Sequence, residues 1–254
     1  MLNHPTLDKL QAMKFTGMAR AFAEQLDTAD IAELDFDERF ALLVEREWTE
    51  RRSRQLTNRL RRARLRHPDA CLEDVDYRRP RGLDKALLAS MGACQWVREH
   101  LNILITGATG AGKTWLACAL AHQACREGFS ALYLRLPRLF EELDIARGDG
   151  RYPKLLQSLG KTDVLILDDW GLTPLGATQR RDLLEVLEER HARRSTLITS
   201  QLPVAKWHEF IADPTLADAI LDRLVHNAYK FPLKGKRSMR EPAPDLTDAD
   251  HPTP

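Results

Sequence analysis

The sequence predicts an α/β fold, a parallel sheet of five strands flanked by helices, preceded by a small all-α N-terminal domain. Three observations predict it. Apolar residues recur at helical spacing over roughly the first 80 residues, and from Leu101 onward short apolar runs alternate with helical patterns. The phosphate-loop pattern G-x-x-x-x-G-K-[ST] stands between the first of those runs and the helix that follows it.

The chain has 254 residues, 43% hydrophobic and 30% charged, enough for one large or two modest domains with a sizeable core. No apolar run approaches the roughly 20 residues that cross a bilayer, and the N-terminal MLNHPTLDKLQAMKFTG lacks the apolar block of a secretory signal. A cytosolic chain without membrane association is expected. Cys71, Cys94, Cys118 and Cys125 form no Cys-x-x-Cys pair, which argues against a zinc knuckle or a disulfide framework and for buried thiols.

Taken in order, Leu7, Leu10, Met13, Met18 and Phe22 mark helical turns, and a second helix begins near Phe36 and runs some thirty residues. Residues 1–68 are therefore a helical N-terminal domain, suited to DNA or a partner. Pro68, Pro80 and Gly82 interrupt the pattern, so residues 69–98 read as a linker and connecting helix. Residues 99–240 hold the candidate strands LNILIT, SALYLRL, DVLILD, STLITS and YKFPL, and strands alternating with helices imply a parallel sheet covered on both faces. Residues 241–254 are acidic and Pro-rich, the composition of a disordered tail.

The net charge of +1 hides a segregation. Arg51, Arg52, Arg54, Arg59, Arg61, Arg62, Arg64 and Arg66 fall within sixteen residues that contain no acid. Surface helices usually mix signs to gain i,i+4 pairs. Unmixed arginines repel one another unless a polyanion is present, while Val44, Trp48, Leu56, Leu60 and Ala63 offer an apolar stripe to seat the helix. These eight arginines are the candidate contacts to the backbone of double-stranded DNA. No base-reading module accompanies them, so weak sequence preference and strong salt dependence are expected. An acidic dock on another subunit, or a solvated face, are the alternatives.

The stretch GATGAGKT supplies Gly107, Ala108, Thr109, Gly110, Ala111, Gly112, Lys113 and Thr114. Glycines let backbone N–H groups close around a phosphate chain, Lys113 brings charge to the β- and γ-phosphates, and the Thr114 hydroxyl ligates Mg²⁺. ATP and Mg²⁺ are the implied cofactors. A second metal anchor is needed at the end of a neighbouring buried strand, and VLILD ends on Asp168. Asp169 follows it. It either polarises the attacking water, with a side chain one methylene shorter than the glutamate usual there, or orients the loop or Asp168.

GATGAGKT, LILDDWG, LITSQLPVAKWHEFI and above all PTLADAILDRLVHNAYKFPLKGKRSMR resemble the IstB-like ATP-binding proteins, transposition helpers of insertion sequences related to DnaC helicase loaders and to DnaA. The resemblance spans nearly the whole chain. It implies an AAA+ P-loop ATPase that forms an ATP-dependent homo-oligomer on DNA and acts with a cognate transposase. It also implies that Lys113, Thr114, Asp168 and Asp169 form the nucleotide site, and that Gln201, in preference to Thr199, senses the γ-phosphate. Arg223 would be the finger that reaches a neighbouring subunit, and Arg240 the second sensor. The chain departs from the family's Gly-Glu-Ser-Met-Arg pattern at Gly235 to Arg240, so Arg237 could replace Arg240, or Lys234, Lys236 and Arg237 could bind DNA. A helicase loader, an ATP-binding switch without hydrolysis and a small-molecule kinase are the competing readings.

Overall fold

In the computed structural model, which describes residues 4–234 and 238–239, the chain divides into two units, Met1–Arg59 and Leu60–Pro254. The first unit holds α1 (Pro5–Ala12), α2 (Thr16–Asp27) and most of α3 (Phe36–Ala63). The N-cap of α2 is Phe15, which has no side-chain oxygen to offer the first N–H groups. Glu47 of α3 supplies it instead: the N–H groups of Gly17 and Met18 donate to Glu47 Oε2 at 2.8 and 3.1 Å. A Cβ at Gly17 would come within 2.9 Å of Glu47 Cα, so glycine permits this close crossing. Arg51 pairs with the same carboxylate at 2.5 Å and lies over the Phe15 ring.

The apolar stripe expected to seat α3 is only partly used. Ala63 is buried, and Leu56 and Leu60 are half-buried, but Val44 and Trp48 are exposed, Trp48 at 59%. Within its unit the helix is seated by the buried Glu47 and its hydrogen bonds rather than by that stripe. The division of the units also falls earlier than residue 68. Beyond Arg59 the chain buries Ala63, Leu65, Ala70 and Val75, so the segment that reads as a linker packs into the second unit.

That unit continues through α4 (Lys85–Met91) and α5 (Gln95–Arg98) to β1 (Asn102–Gly107) and α6 (Lys113–Arg126). Then come β2 (Ala131–Arg135), α7 (Leu136–Gly148), α8 (Tyr152–Lys161) and β3 (Val164–Trp170). The chain closes with α9 (Ala177–Arg190), β4 (Ser195–Ser200), α10 (Trp207–Ile211), α11 (Pro214–Val225) and β5 (Ala228–Leu233). Asp213 starts α11 by accepting the Leu216 N–H at 3.0 Å, with Pro214 at the first helical position where a missing N–H costs nothing.

All pairings in the sheet are parallel, in the order β2-β3-β4-β1-β5. The central strands are covered on both faces, which is why LNILIT and VLILD read as unbroken apolar runs. β4 inserts between β1 and β3, so the phosphate loop and Asp168 are two strands apart, not one. Its hydroxyls are buried and partnered: Ser195 Oγ donates to Trp96 O, and Ser200 Oγ to Trp170 O at 2.8 Å. Leu139, Leu143, Leu165, Leu167, Leu183, Ile198, Ile220 and Leu224 form the core, with Trp170 and Trp207 packed at a centroid distance of 4.9 Å.

β3 carries one irregularity. Leu167 pairs with Ile198, yet Trp170 pairs with Ser200, so β3 has one residue more than β4 across the same interval. Asp169 absorbs it with φ +64°, in the left-handed region that aspartate enters more readily than most residues. Among the described residues no helix is long and apolar enough to cross a membrane.

Candidate functional site

Parallel strands end on one edge, and the C-terminal ends of β1, β4 and β3 are consecutive there. Open α/β sheets bind ligands at that edge. It opens into a cavity of about 300 Å³ lined by Gly110 and Gly112 from the loop after β1, Lys113 and Thr114 from the start of α6, Asp168 and Asp169 from β3, Thr199 and Ser200 from β4, and Gln201 just past it.

The loop needs its glycines. Gly107 has φ +147°, and a Cβ there would collide with the Leu233 carbonyl oxygen of β5; Gly112, at φ +87°, turns the chain into α6. The first N–H groups of this 14-residue helix have no intrahelical acceptor and face the loop. Lys113 Nζ donates to Gly107 O and Ala108 O, both at 2.8 Å, which curls the loop over its own lysine. Burial lowers the Lys113 pKa, and Asp168 and Asp169 oppose that shift.

Asp168 is 1% exposed and collects hydroxyls from three elements. Thr114 Oγ1 of α6 lies 3.0 Å from Oδ1, Tyr133 OH of β2 donates to Oδ2 at 2.5 Å, and Thr199 Oγ1 of β4 donates to Oδ1. Burial raises the Tyr133 pKa, and its bond to Asp168 raises it further. Thr114 and Asp168 offer adjacent hard oxygens, the donors Mg²⁺ takes when phosphate oxygens and waters complete its shell. Among the described residues no three His, Cys, Asp or Glu side chains group to hold a metal by themselves. The residues fit a metal that arrives with a nucleotide.

Thr199 on β4 touches Asp168, whereas Gln201, just past the strand, lines the cavity without that contact. Asp169 also lines the cavity, but its Oδ2 accepts from Arg135 Nε at 2.6 Å. That bond raises the Arg135 pKa. The second acid is thus held by a cation at the end of β2, a partner that no motif in the sequence announces.

Arg223 lies elsewhere. Its backbone carbonyl accepts from Asn102 Nδ2 at 2.9 Å, at the start of β1, so it sits at the opposite edge of the sheet from the phosphate loop. Its guanidinium meets Glu188 of α9 through Nε at 2.7 Å and Nη2 at 2.5 Å, so it does not simply point outward into water. Arg237 and Arg240 lie outside the described residues. Ser238 and Met239 reach the loop: Met239 N–H donates to Gly110 O at 2.8 Å.

The arginine run divides. Arg51 and Arg54 lie 2.5 and 3.7 Å from Glu47, an acid just upstream on the same helix, so the start of the run is paired with a carboxylate. Arg52, Arg61, Arg62 and Arg64 are exposed, and Arg59 is half-buried. Arg66 lies past the end of α3 and lines the cavity, with Nη1 3.9 Å from Asp168 Oδ2. The segment that reads as a linker contributes Asp74, Asp76 and Arg81 as well. Arg81 is buried, donating from Nη1 to Ala111 O at 3.2 Å and from Nη2 to Asp76 O at 3.4 Å, while its Nε has no partner among the described residues. The available signal was the charge in RRPRG, dense for a passive connector.

The family model described as IstB-like ATP binding protein matches residues 8–243. A Sinorhizobium fredii protein, y4pL, named for an insertion sequence and for ATP binding, is 56% identical over 94% of this chain and 98% of its own length. A similarly named Pseudomonas aeruginosa protein of insertion sequence IS21 is 31% identical over 89% of this chain and 85% of its own length. Among solved structures, DnaI superposes with a TM-score of 0.54 at 23% identity, over 65% of this chain and 92% of that one. The DnaC helicase loader does so at 0.51 and 19%, over 65% and 97%. The second unit has the AAA+ P-loop fold of these neighbours.

Proposed function

The chain belongs to the IstB-like ATP-binding protein family, and from that membership we propose that it is a Mg²⁺-dependent ATPase that assembles with ATP as a homo-oligomer on double-stranded DNA and assists a cognate transposase. The observation that carries the reading is the meeting of Lys113, Thr114, Asp168 and Thr199 at three consecutive strand ends, around a cavity of nucleotide size.

In this reading the phosphates of ATP lie along residues 107–114, on the backbone N–H groups and Lys113. When bound, Mg²⁺ neutralises charge on the β- and γ-phosphates. Thr114 and Asp168 would hold it, and the hydroxyls of Tyr133 and Thr199 keep the Asp168 carboxylate in one orientation. Asp169 takes the proton of the attacking water once Arg135 releases it. Arg223, at the far edge of the sheet, serves a neighbouring subunit's nucleotide and not its own. Arg240 would be the second sensor, and Gln201 would read the γ-phosphate beside Thr199. Arg52, Arg61, Arg62 and Arg64 lie on DNA phosphates, with little base preference.

Sedimentation with and without ATP and with and without DNA tests this. Large assemblies should form only with both, and a monomer under all four conditions would overturn the reading. Replacing Arg52, Arg61, Arg62 and Arg64 with serine should reduce the log–log salt slope of DNA affinity by about 0.9 for each phosphate that is no longer neutralised.

A helicase loader uses the same fold. The insertion-sequence relatives match almost the whole chain, both units included, which favours the transposition partner. Recovery of a replicative helicase and no transposase in pull-downs from the host would reverse that preference.

A further inference from the structure

Helix α3 ends at Ala63, and Arg64, at φ +51°, turns the chain out of it. Ala63, Leu65 and Ala70 are buried, which pins this turn onto the second unit. The backbone at Arg66 and His67 lies beside the Cys118 thiol, which is itself buried on α6 one turn beyond Thr114. Arg66 is thereby anchored at its backbone to the helix that opens at the phosphate loop, while its side chain stays half-exposed in the cavity.

The guanidinium lies close to the Tyr133 hydroxyl, which donates to Asp168. At 3.9 Å from Asp168 Oδ2 it makes an ion pair without a hydrogen bond. A guanidinium has five N–H donors in a planar fork, a shape that matches phosphate oxygens. Asp168 already has the hydroxyls of Thr114, Tyr133 and Thr199, so Arg66 is not needed to satisfy it.

Arg81 and Met239 touch the loop at Ala111 and Gly110, whereas Arg66 and Thr114 both meet Asp168. Thr114 and Asp168 would hold a metal that neutralises charge on the β- and γ-phosphates. A cation beside Asp168 therefore belongs with the terminal phosphates.

We propose that Arg66 reads the terminal phosphate of ATP from within the same chain, and is a nucleotide contact rather than a DNA contact. The proposal rests on the reading of the cavity as an ATP site. It separates the last arginine of the run, which faces the nucleotide, from Arg52, Arg61, Arg62 and Arg64, which face DNA in that reading. The consequence is discrimination between ATP and ADP, since only ATP brings the γ-phosphate.

Equilibrium titration of the full-length protein with fluorescent ATP and ADP analogues, in Mg²⁺, tests this without turnover. Arg66→Ala should weaken ATP binding about tenfold or more, the scale of one charge-assisted hydrogen bond, and leave ADP affinity within about twofold. Retained ADP binding shows that the variant is folded. Arg66→Lys, which keeps the charge without the fork, should recover part of the ATP preference. Equal losses for ATP and ADP, or no loss, would overturn the proposal. So would an unchanged ATP-to-ADP ratio accompanied by a drop of about 0.9 in the DNA salt slope, because Arg66 would then be a DNA contact. Failure of the unmodified protein to bind either nucleotide would instead remove the ATP site itself.

Discussion

Arg135 Nε donates to Asp169 Oδ2 at 2.6 Å, joining the ends of β2 and β3 beside the cavity. In the proposed mechanism Asp169 polarises the attacking water, and here its Oδ2 is already occupied by a cation of the same chain.

Breaking that pair should raise basal hydrolysis. Arg135→Ala is expected to increase phosphate release severalfold without changing ATP affinity, and Asp169→Asn to keep ATP affinity and lose turnover. If Arg135→Ala lowers the rate, the arginine orients the carboxylate rather than restraining it.

Gly107 tolerates no side chain. Its φ of +147° and the Leu233 carbonyl oxygen against it predict that Gly107→Ala destabilises the protein by about 2 kcal/mol or more. Thermal melting reads the loss directly, and an unchanged melting temperature would mean that β5 can move away from the loop.

Glu47 gives the first unit an acid sensitivity. Burial alone would raise its pKa, but the Arg51 bond and the N–H groups of Met18 and Gly17 together hold it below the usual 4.5. A lowered folded-state pKa means the stabilisation is complete above the unfolded value and is lost as pH falls through the folded one. Helical circular dichroism of the full chain should therefore decline below about pH 4.5, and Glu47→Gln should be less stable at neutral pH with a flatter profile in that window. Identical profiles for the two proteins would show that Glu47 does not govern acid sensitivity.

Arg223 bonds to Asn102 and Glu188 at the sheet edge away from the cavity. Arg223→Ala is expected to lower ATPase activity only under assembling conditions, by about 10³-fold if it acts as a trans arginine. Mixing it with Asp169→Asn should restore activity above that of either variant alone, since one keeps an acid and the other an arginine. No recovery on mixing would confine Arg223 to its bond with Glu188.

The parts of the site carried by contiguous residues were legible in the sequence. The phosphate loop announces itself because one short segment must supply the glycines, the lysine and the hydroxyl, and Asp168 follows from an apolar run that ends on an acid. Tyr133 and Arg135, which hold Asp168 and Asp169, and Arg66 and Arg81, which line the cavity, were not legible as one site, because they come from separate segments that only the fold brings together. The five strands were readable from their apolar runs, but not the insertion of β4 between β1 and β3, since a parallel sheet's order leaves no local trace. The pairing of Glu47 with Arg51 was within reach, as an acid four residues before an arginine on a helix. The exposure of Val44 and Trp48 was not, because a periodic stripe does not say which face a polar contact has claimed.

The extra residue in β3 also bears on why the second acid is an aspartate. In a regular strand Asp168 and Asp169 would point to opposite faces, and the left-handed turn at Asp169 breaks that alternation. Aspartate and asparagine are enriched in this conformation, whereas glutamate would enter it at a cost of order 1 kcal/mol or more. The short side chain is thus a concession to the backbone. If Asp169 acts as proposed, a kink in a strand would help set the tempo of hydrolysis, and Asp169→Glu should exchange some fold stability for reach.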